Sequence, residues 1–413
     1  MTSDRSAPQA PPTRRSRPRM ALATDPIAAA RALAPVIREA APAIERERRV
    51  PLDLVDRLRD AGLFHMLIPT TLGGAQVDPI VAARAVEEIA FADASAGWVL
   101  MLAMQSNVFA GFMEERHALE VWGNGGIVCG TARPIGRAVA TRRSGSSRTG
   151  EYEDGYLVSG RWPFASGSSH ADWFLAECVV YDGEVARKDA QGQDVTRMLF
   201  VPREDVRLID TWNTTGLRGT ASNDFEVKDV YVPHGRGLQI MVSPPMQEWP
   251  LYANAPIAFV NHGSHALGVA RAALASAVDL IAAKRGWGDA PLREVPRMQA
   301  IVAEATAEIE AARVYLYAAA GDLWTAATTE GVEVTARDRS RARLATSHAM
   351  TASLRAVDQL HRALGTTSIV AGSTMDRCFR DLHTASAHVM IGPLTYEAAG
   401  RVELGMDADF PLF

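Results

Sequence analysis

The fold of this chain is decided by the stretch Arg380-Asp381-Leu382-His383-Thr384-Ala385-Ser386-Ala387-His388, together with Gly160-Arg161-Trp162-Pro163-Phe164-Ala165-Ser166-Gly167 upstream. The first stretch is typical of a helical turn that ends in histidines, and the second of a strand that enters a loop of small residues. We expect the late histidine and the loop hydroxyl to meet at one site, provided that the rest of the chain builds helices around a β-rich domain.

The composition is that of a globular protein with a sizeable core. The chain has 413 residues, 47% of them hydrophobic and 22% charged, which is enough for two or three domains. The net charge of -5 argues against nucleic acid as a partner, and no apolar run approaches the length of a membrane span. Cys129, Cys178 and Cys378 are too widely spaced for a disulfide framework, so we expect a cytoplasmic location.

Four regions follow from the hydrophobic pattern. Residues 1–24 are rich in Pro, Arg, Ser and Thr, and we expect a disordered tail. Residues 25–122 show helical spacing, residues 123–234 carry short β-rich runs separated by turns, and residues 235–413 return to long alanine-rich helices. The pattern predicts an α+β fold, mainly α, in which a β-domain lies between two helical domains.

Three segments resemble the acyl-CoA dehydrogenase fold, and the likeness extends from about Asp25 to Leu404. They are Gly160–Trp173, Trp212–Pro233 and Arg380–Gly405. Within that fold the chain resembles the two-component flavin-dependent monooxygenases, in the group of the 4-hydroxyphenylacetate hydroxylase oxygenase components. The resemblance implies a β-barrel-like central domain, a C-terminal four-helix bundle and a homotetramer.

The position of the catalytic base separates the monooxygenases from the dehydrogenases of this fold. The resemblance to dehydrogenases places a carboxylate about nine residues after Arg380, where this chain has Val389 beside His388. Glu397 lies about two helical turns further along, so its use as the base of an FAD-dependent acyl-CoA dehydrogenase would require an insertion. The monooxygenase pattern needs none, because His388 falls at its histidine position. Both activities remain open at this point.

The resemblance implies hydroxylation of an aromatic substrate by O2 through a flavin C4a-hydroperoxide. Reduced FMN or FAD would come from a separate NAD(P)H:flavin reductase, and the chain accordingly lacks a phosphate-cradling glycine motif after a strand. Ser166 matches the serine that accepts a hydrogen bond from the flavin, and His388 the histidine that donates a proton at a pKa near working pH. The remaining flavin contacts implied are Thr131, Phe164, Ala165, Arg218, Arg285, Trp287, Thr366 and Thr367. Arg218 has an alternative role as the ion-pair partner of Asp224.

The substrate is expected along the apolar helix Ala94–Met113 and the C-terminal helices. The candidate contacts are Met104, Asn107, His262, His265 and His383, the last of which is also an alternative to His388. Related phenol hydroxylases often carry a histidine on the first of these helices, but this chain reads Gln105-Ser106-Asn107 there. That difference favours a larger aromatic substrate, such as a polycyclic or polyketide-type compound, and leaves N-hydroxylation of an amine open. No histidines stand with a carboxylate at metal-ligand spacing, so we predict no metal.

Overall fold

The computed structural model describes residues 22–144, 152–240, 242–286 and 289–410. Most of the predicted disordered tail, residues 1–21, lies outside these ranges. The N-terminal domain contains five helices, which are α1 (Pro26–Glu47), α2 (Leu52–Asp60), α3 (Pro79–Ala92), α4 (Ala94–Ser106) and α5 (Glu115–Trp122). Aspartates cap three of them, since the side chains of Asp25, Asp78 and Asp93 accept hydrogen bonds from backbone N–H groups in the first turns of α1, α3 and α4.

Helix α4 is shorter than the sequence predicts. The apolar run continues to Met113, but the α-helix ends at Ser106 and a 3-10 turn follows over Asn107–Phe112. Asn107 marks the change because its side chain donates to the carbonyl of Phe64 and accepts from the indole of Trp122. Gly111 then passes so close to the Tyr252 ring that a Cβ there would lie 2.2 Å from it. The tighter turn brings the backbone into these contacts.

The central domain is a mixed sheet. Its strands are β1 (Val128–Ser144), β2 (Tyr152–Ala165), β3 (Trp173–Asp182), β4 (Val185–Ala186), β5 (Thr196–Pro202), β6 (Arg207–Ile209), β7 (Asn223–Pro233) and β8 (Gly237–Leu238). They run in the order β6-β7-β2-β1-β3-β5-β8, an open path, with β4 on β3. Only β1 and β3 pair in parallel among the described strands. Strand β8 extends the sheet beyond residue 234, where the sequence placed the end of the domain.

The C-terminal domain is built from helices that range from four to 33 residues in length. They are α6 (Pro250–Ala253), α7 (Val260–Ala283), α8 (Pro296–Thr328), α9 (Ala336–Leu364), α10 (Thr374–Ala385) and α11 (Pro393–Glu403). Helix α7 packs against α3, α8, α9 and α10, so it is the central helix of the molecule. Its first two turns carry polar residues, Asn261, His262, Ser264 and His265, and all four are buried. The order of helices, sheet and helices confirms the predicted fold class.

Burial explains the apolar character of helix α7. Among the described residues, the segment Ala255–Ala283 is long and apolar enough to cross a membrane, which differs from the expectation that no apolar run approaches that length, but half of its most apolar stretch is buried inside the protein. The surrounding helices contribute one large core, and the sheet has a second core around Trp162, Phe174 and Phe225. The composition of α7 is therefore that of a core helix.

Candidate active site

The indole of Trp98 lies at the centre of a buried polar cluster. Trp98 is on α4, and its Nε1 donates a hydrogen bond to Ser166 Oγ at 3.2 Å. Three imidazoles meet the same indole edge-on, with ring centroids 5.2 Å away for His265, 5.6 Å for His388 and 5.7 Å for His262. One aromatic ring therefore brings together the loop serine and the late histidine that the sequence placed 222 residues apart.

Ser166 is presented by a strained turn at the end of β2. Phe164 has a left-handed backbone with φ 66°, an uncommon conformation for a bulky residue. Its side chain is 55% exposed and meets Trp212 edge-on, whereas Ala165 is fully buried. Ser166 N donates to Phe164 O at 2.9 Å, which closes the turn. Strain of this kind persists only where surrounding contacts hold it in place, and it is concentrated at functional sites.

The Arg380-Asp381 pair ties helix α10 to the loop that approaches Ser166. Asp381 Oδ1 accepts from Leu217 N at 2.6 Å, and Arg380 donates to Thr215 O and to the Glu45 carboxylate of α1. Burial raises the pKa of Asp381 to about 7, and the neighbouring Asp93 carboxylate adds to the shift. The motif that identified the fold therefore joins the three domains at the site.

His388 is held as a neutral imidazole. It begins a 3-10 turn over Val389–Ile391, and its Nδ1 accepts from Met390 N at 3.4 Å, which leaves the proton on Nε2. Burial, together with the nearby guanidinium of Arg343, lowers its pKa to about 4. The expectation that this pKa lies near working pH is wrong, because burial in this apolar surrounding disfavours the imidazolium.

The two histidines of α7 differ in their contacts. His265 is fixed by a 2.8 Å hydrogen bond from Nε2 to Ala94 O. His262 lies 4.7 Å from His388 between ring centroids, and its Nδ1 is 3.1 Å from Gln105 Nε2. Its Nε2 is buried without a hydrogen-bond partner among the described residues. Burial lowers the pKa of both, to about 4 for His265 and well below the ordinary value for His262.

Other substrate candidates lie outside this cluster. Asn107 is buried, and its amide bonds to Phe64 O and to the Trp122 indole, so its place in the substrate set stays a prediction. Met104 is fully buried in the helical core. His383 is exposed on α10, where Nε2 lies 2.8 Å from Asp358 and the ring packs on Phe379.

The two segments predicted to hold the flavin phosphate meet each other. Lys284, at the end of α7, donates to Thr367 Oγ1, and Thr366 is exposed beside it. Arg285 is half-exposed and pairs with Asp289 at 2.6 Å. Trp287 lies outside the described residues. The sequence reasoning did not include Lys284, which is the cation that links the two segments.

The other two predicted flavin contacts belong to the sheet domain. Arg218 donates to Thr214 O, and Asp224 pairs with Arg161 at 2.7 Å, so the alternative Arg218–Asp224 pair is wrong. Thr131 is half-buried on β1, at the point where the register with β3 shifts before Gly136. A shift of this kind bends the strand and changes the direction in which its residues face.

Glu397 lies in a separate surface groove. The groove has a volume of about 480 Å³ and is lined by α9, α11 and the segment around His388, including Thr351, Tyr396 and Glu397. The Glu397 side chain is exposed, and Tyr396 bonds to Thr351 at 3.0 Å across the groove. The carboxylate is thus in solvent rather than in the buried cluster around Trp98.

Besides Lys284, the sequence did not indicate three further residues of the site. They are Trp98, whose role depends entirely on tertiary contacts, the 2% exposed Arg343 on α9, and Ser222, which contacts Ser166 at 2.7 Å. A signal existed for Ser222, because it falls inside the 212–233 segment that carried the family likeness. Across the described residues, no three His, Cys, Asp or Glu side chains are grouped so as to hold a metal ion.

Comparison with known proteins gives a consistent result. The family models for the acyl-CoA dehydrogenase N-terminal and C-terminal domains match residues 27–115 and 260–393. The oxygenase subunit HsaA of a flavin-dependent monooxygenase from Rhodococcus jostii is 30% identical over 394 residues, which cover 91% of this chain and 97% of that protein. Indole-3-acetate monooxygenase from Pseudomonas putida is 29% identical over 95% of this chain and 96% of its own length. The crystal structure of 3-HSA hydroxylase from Rhodococcus sp. RHA1 superposes with a TM-score of 0.82 at 28% identity, covering 94% and 99% of the two chains.

Proposed function

The chain belongs to the oxygenase subunits of flavin-dependent monooxygenases, which share the acyl-CoA dehydrogenase fold, and we propose on that basis that it hydroxylates an aromatic substrate with O2. One oxygen atom enters the substrate and the other leaves as water. Reduced FMN or FAD, delivered by a separate NAD(P)H:flavin reductase, supplies the electrons that activate O2 when it is bound. The observation that carries the proposal is that Ser166 and His388 contact the same buried indole.

The residues of the site suit a reduced flavin. The loop from Ala165 to Gly167 has small side chains, so a planar ring can approach its backbone. Ser166 offers a hydroxyl oxygen, and the strained Phe164 places an exposed aromatic ring beside it. The surrounding imidazoles are neutral, and those of His262 and His265 are fully buried, which suits a reaction that water would divert to hydrogen peroxide.

Each residue then has a separate task. Ser166 accepts a hydrogen bond from a ring N–H of the flavin. His388 donates from Nε2–H as a neutral imidazole, and its low pKa keeps it in that form throughout the physiological range. Trp98 fixes both groups relative to one another. His262, with its unpaired Nε2, contacts the substrate. Lys284 and Thr367 bind the flavin phosphate, with Arg285 and Thr366 beside them.

The substrate class and the assembly follow from the relatives. HsaA, indole-3-acetate monooxygenase and resorcinol hydroxylase are relatives of similar length, and the last two are named for aromatic compounds. We place the substrate of this chain in the same class, with a preference for compounds larger than a simple phenol. A cytoplasmic homotetramer working with a soluble reductase completes the proposal.

A stopped-flow experiment tests the function. Anaerobically reduced FMN or FAD is mixed with the protein, then with O2 and an aromatic substrate panel, while flavin absorbance, product and hydrogen peroxide are measured. Ser166→Ala and His388→Ala should each release more peroxide per product than the native protein. His383→Ala is the matched control, because His383 is exposed and lies on the same helix end. A protein that binds no reduced flavin, or one whose coupling is the same in all variants, would contradict the proposal.

A further inference from the structure

Three buried hydroxyls form a continuous chain that ends at Ser166. Ser166 Oγ lies 2.7 Å from Ser222 Oγ, which lies 2.6 Å from Thr220 Oγ1. Thr220 Oγ1 in turn lies 2.9 Å from Leu217 O, a carbonyl that can only accept. Thr220 is fully buried and Ser222 is 3% exposed, so water does not interrupt the chain. At the other end, Trp98 Nε1, which can only donate, points at Ser166 Oγ.

The two ends of the chain determine where each proton lies. A hydroxyl carries a single proton. Thr220 must place its proton on Leu217 O, since otherwise two acceptor oxygens would face each other at 2.9 Å with no proton between them. Ser222 must then donate to Thr220, and Ser166 must donate to Ser222. This is the one arrangement that gives every short contact in the chain a proton.

The direction of the chain leaves Ser166 able only to accept. Its proton is committed to Ser222, and one of its two lone pairs receives the Trp98 N–H. The remaining lone pair can receive one further N–H donor. Reduced flavin carries a hydrogen on N5, whereas N5 of oxidised flavin can only accept a hydrogen bond. The two redox states therefore meet Ser166 differently.

We propose that Ser222 and Thr220 are positioning residues that fix the proton of Ser166 and thereby make the site select reduced over oxidised flavin. The proposal rests on the proposed function, because it assumes that flavin binds against Ser166. It extends that function by giving Ser222 and Thr220, which do not touch the flavin themselves, a part in selecting its redox state. Oxidised flavin could be accommodated only if the whole chain reversed, which would break the hydrogen bond from Thr220 to Leu217 O.

Two substitutions separate this proposal from a merely structural role of the loop. In Ser222→Ala, the Ser166 proton loses its acceptor, so Ser166 can donate or accept. In Thr220→Val, which keeps the shape of the side chain, Ser222 can place its proton only on Ser166. Ser166 must then offer its own proton to the ligand. Leu217 O remains satisfied in that variant, because Trp212 Nε1 also donates to it at 2.8 Å.

The experiment measures the dissociation constants of reduced and oxidised FMN and FAD by anaerobic titration. The native protein should prefer the reduced form. Ser222→Ala should lower the ratio of the dissociation constant of oxidised flavin to that of reduced flavin about tenfold, and Thr220→Val should lower this ratio further. A tenfold change corresponds to about 30 mV in the midpoint potential of bound flavin, which potentiometric titration measures independently.

Ser168→Ala is the matched control. Ser168 is fully buried in the same loop, but it donates to Ala221 O and takes no part in the chain of three hydroxyls. Removal of its hydroxyl should therefore leave the ratio of the two dissociation constants unchanged. Circular dichroism and Thr220→Ser, which retains the hydroxyl, check that the loop is intact. An equal effect of Ser168→Ala, or native ratios in both Ser222→Ala and Thr220→Val, would overturn the proposal alone. A native protein that binds no reduced flavin would overturn the proposed function together with it.

Discussion

Acidification from pH 7 to pH 5 should strongly destabilise this protein, because it folds around neutral histidines. Burial lowers the pKa of four histidines to about 4, namely His65, His170, His265 and His388, and lowers that of His262 well below its ordinary value. As the pH falls below about 6.5, the unfolded chain takes up protons that the folded protein does not bind. The stabilisation is therefore complete above the unfolded pKa and is lost as the pH approaches 4.

The size of the effect follows from linkage. Between pH 7 and pH 5 each of the four histidines costs about 1.8 kcal/mol, or about 7 kcal/mol together. Two buried carboxylates oppose this loss, because burial raises the pKa of Asp93 to about 6 and that of Asp381 to about 7. The folded protein binds their protons first, which returns about 4 kcal/mol over the same interval. The net loss from these six groups is about 3 kcal/mol, a large part of an ordinary folding stability. The lowered pKa values of His262 and His234 add to it, and the raised pKa of Glu177 opposes it.

Urea unfolding followed by tryptophan emission at the two pH values measures the loss. His170→Phe should reduce the loss by about 2 kcal/mol, because the phenyl ring has no proton to gain and His170 already packs near Phe64. The control is His361→Gln, at a half-buried position on α9. Equal stability at both pH values, or an unchanged pH dependence in His170→Phe, would refute the reasoning.

Three further predictions concern the site. Trp98→Phe keeps an aromatic ring but removes the N–H donor, so the amount of hydrogen peroxide released per product should rise about two- to tenfold. A peroxide assay measures this ratio, and an unchanged value would count against the role given to the indole. Glu397→Gln should leave product formation within about twofold, as judged by chromatography, because its carboxylate is in solvent; complete loss would instead support a carboxylate base. Gly216→Ala places a Cβ 2.1 Å from Arg380 O, so it should lower the free energy of unfolding by about 1–3 kcal/mol, measured by thermal unfolding, and should weaken flavin binding. Gly400→Ala, with open space around it, should change neither the stability nor the flavin affinity.

The helices were the most predictable part of the fold. Apolar spacing and capping residues set their ends, as at Pro296 for α8 and at Thr335, which forms a capping box with Asp338 before α9. The sheet was less predictable. Strand β1, from Val128 to Ser144, is longer than the short β-rich runs that the sequence predicts, because its later part is arginine-rich and lacks their apolar character. That part of the strand forms because it pairs with neighbouring strands, which the local sequence does not indicate.

The site was predictable in part. Family likeness selected Ser166 and His388, and the fold and the family are confirmed, whereas the catalytic roles of the two residues stay predictions. Trp98 could not be found, because an apolar helix gives no sign of which ring faces a serine loop. The hydrogen bonds of Asn107 could not be predicted for a related reason: the helix tightens after Ser106, and this turns the amide into the core.

The contacts of helix α10 limit how relatives of this protein can be recombined. A chimera joined between the sheet domain and the helical bundle would take the Leu217 loop from one parent and Asp381 from the other. Even if both halves folded, the hydroxyl chain and the imidazole would then be set by contacts that had not evolved together. Exchange of substrate range between family members should succeed only when residues 212–222 and α10 are inherited as a pair.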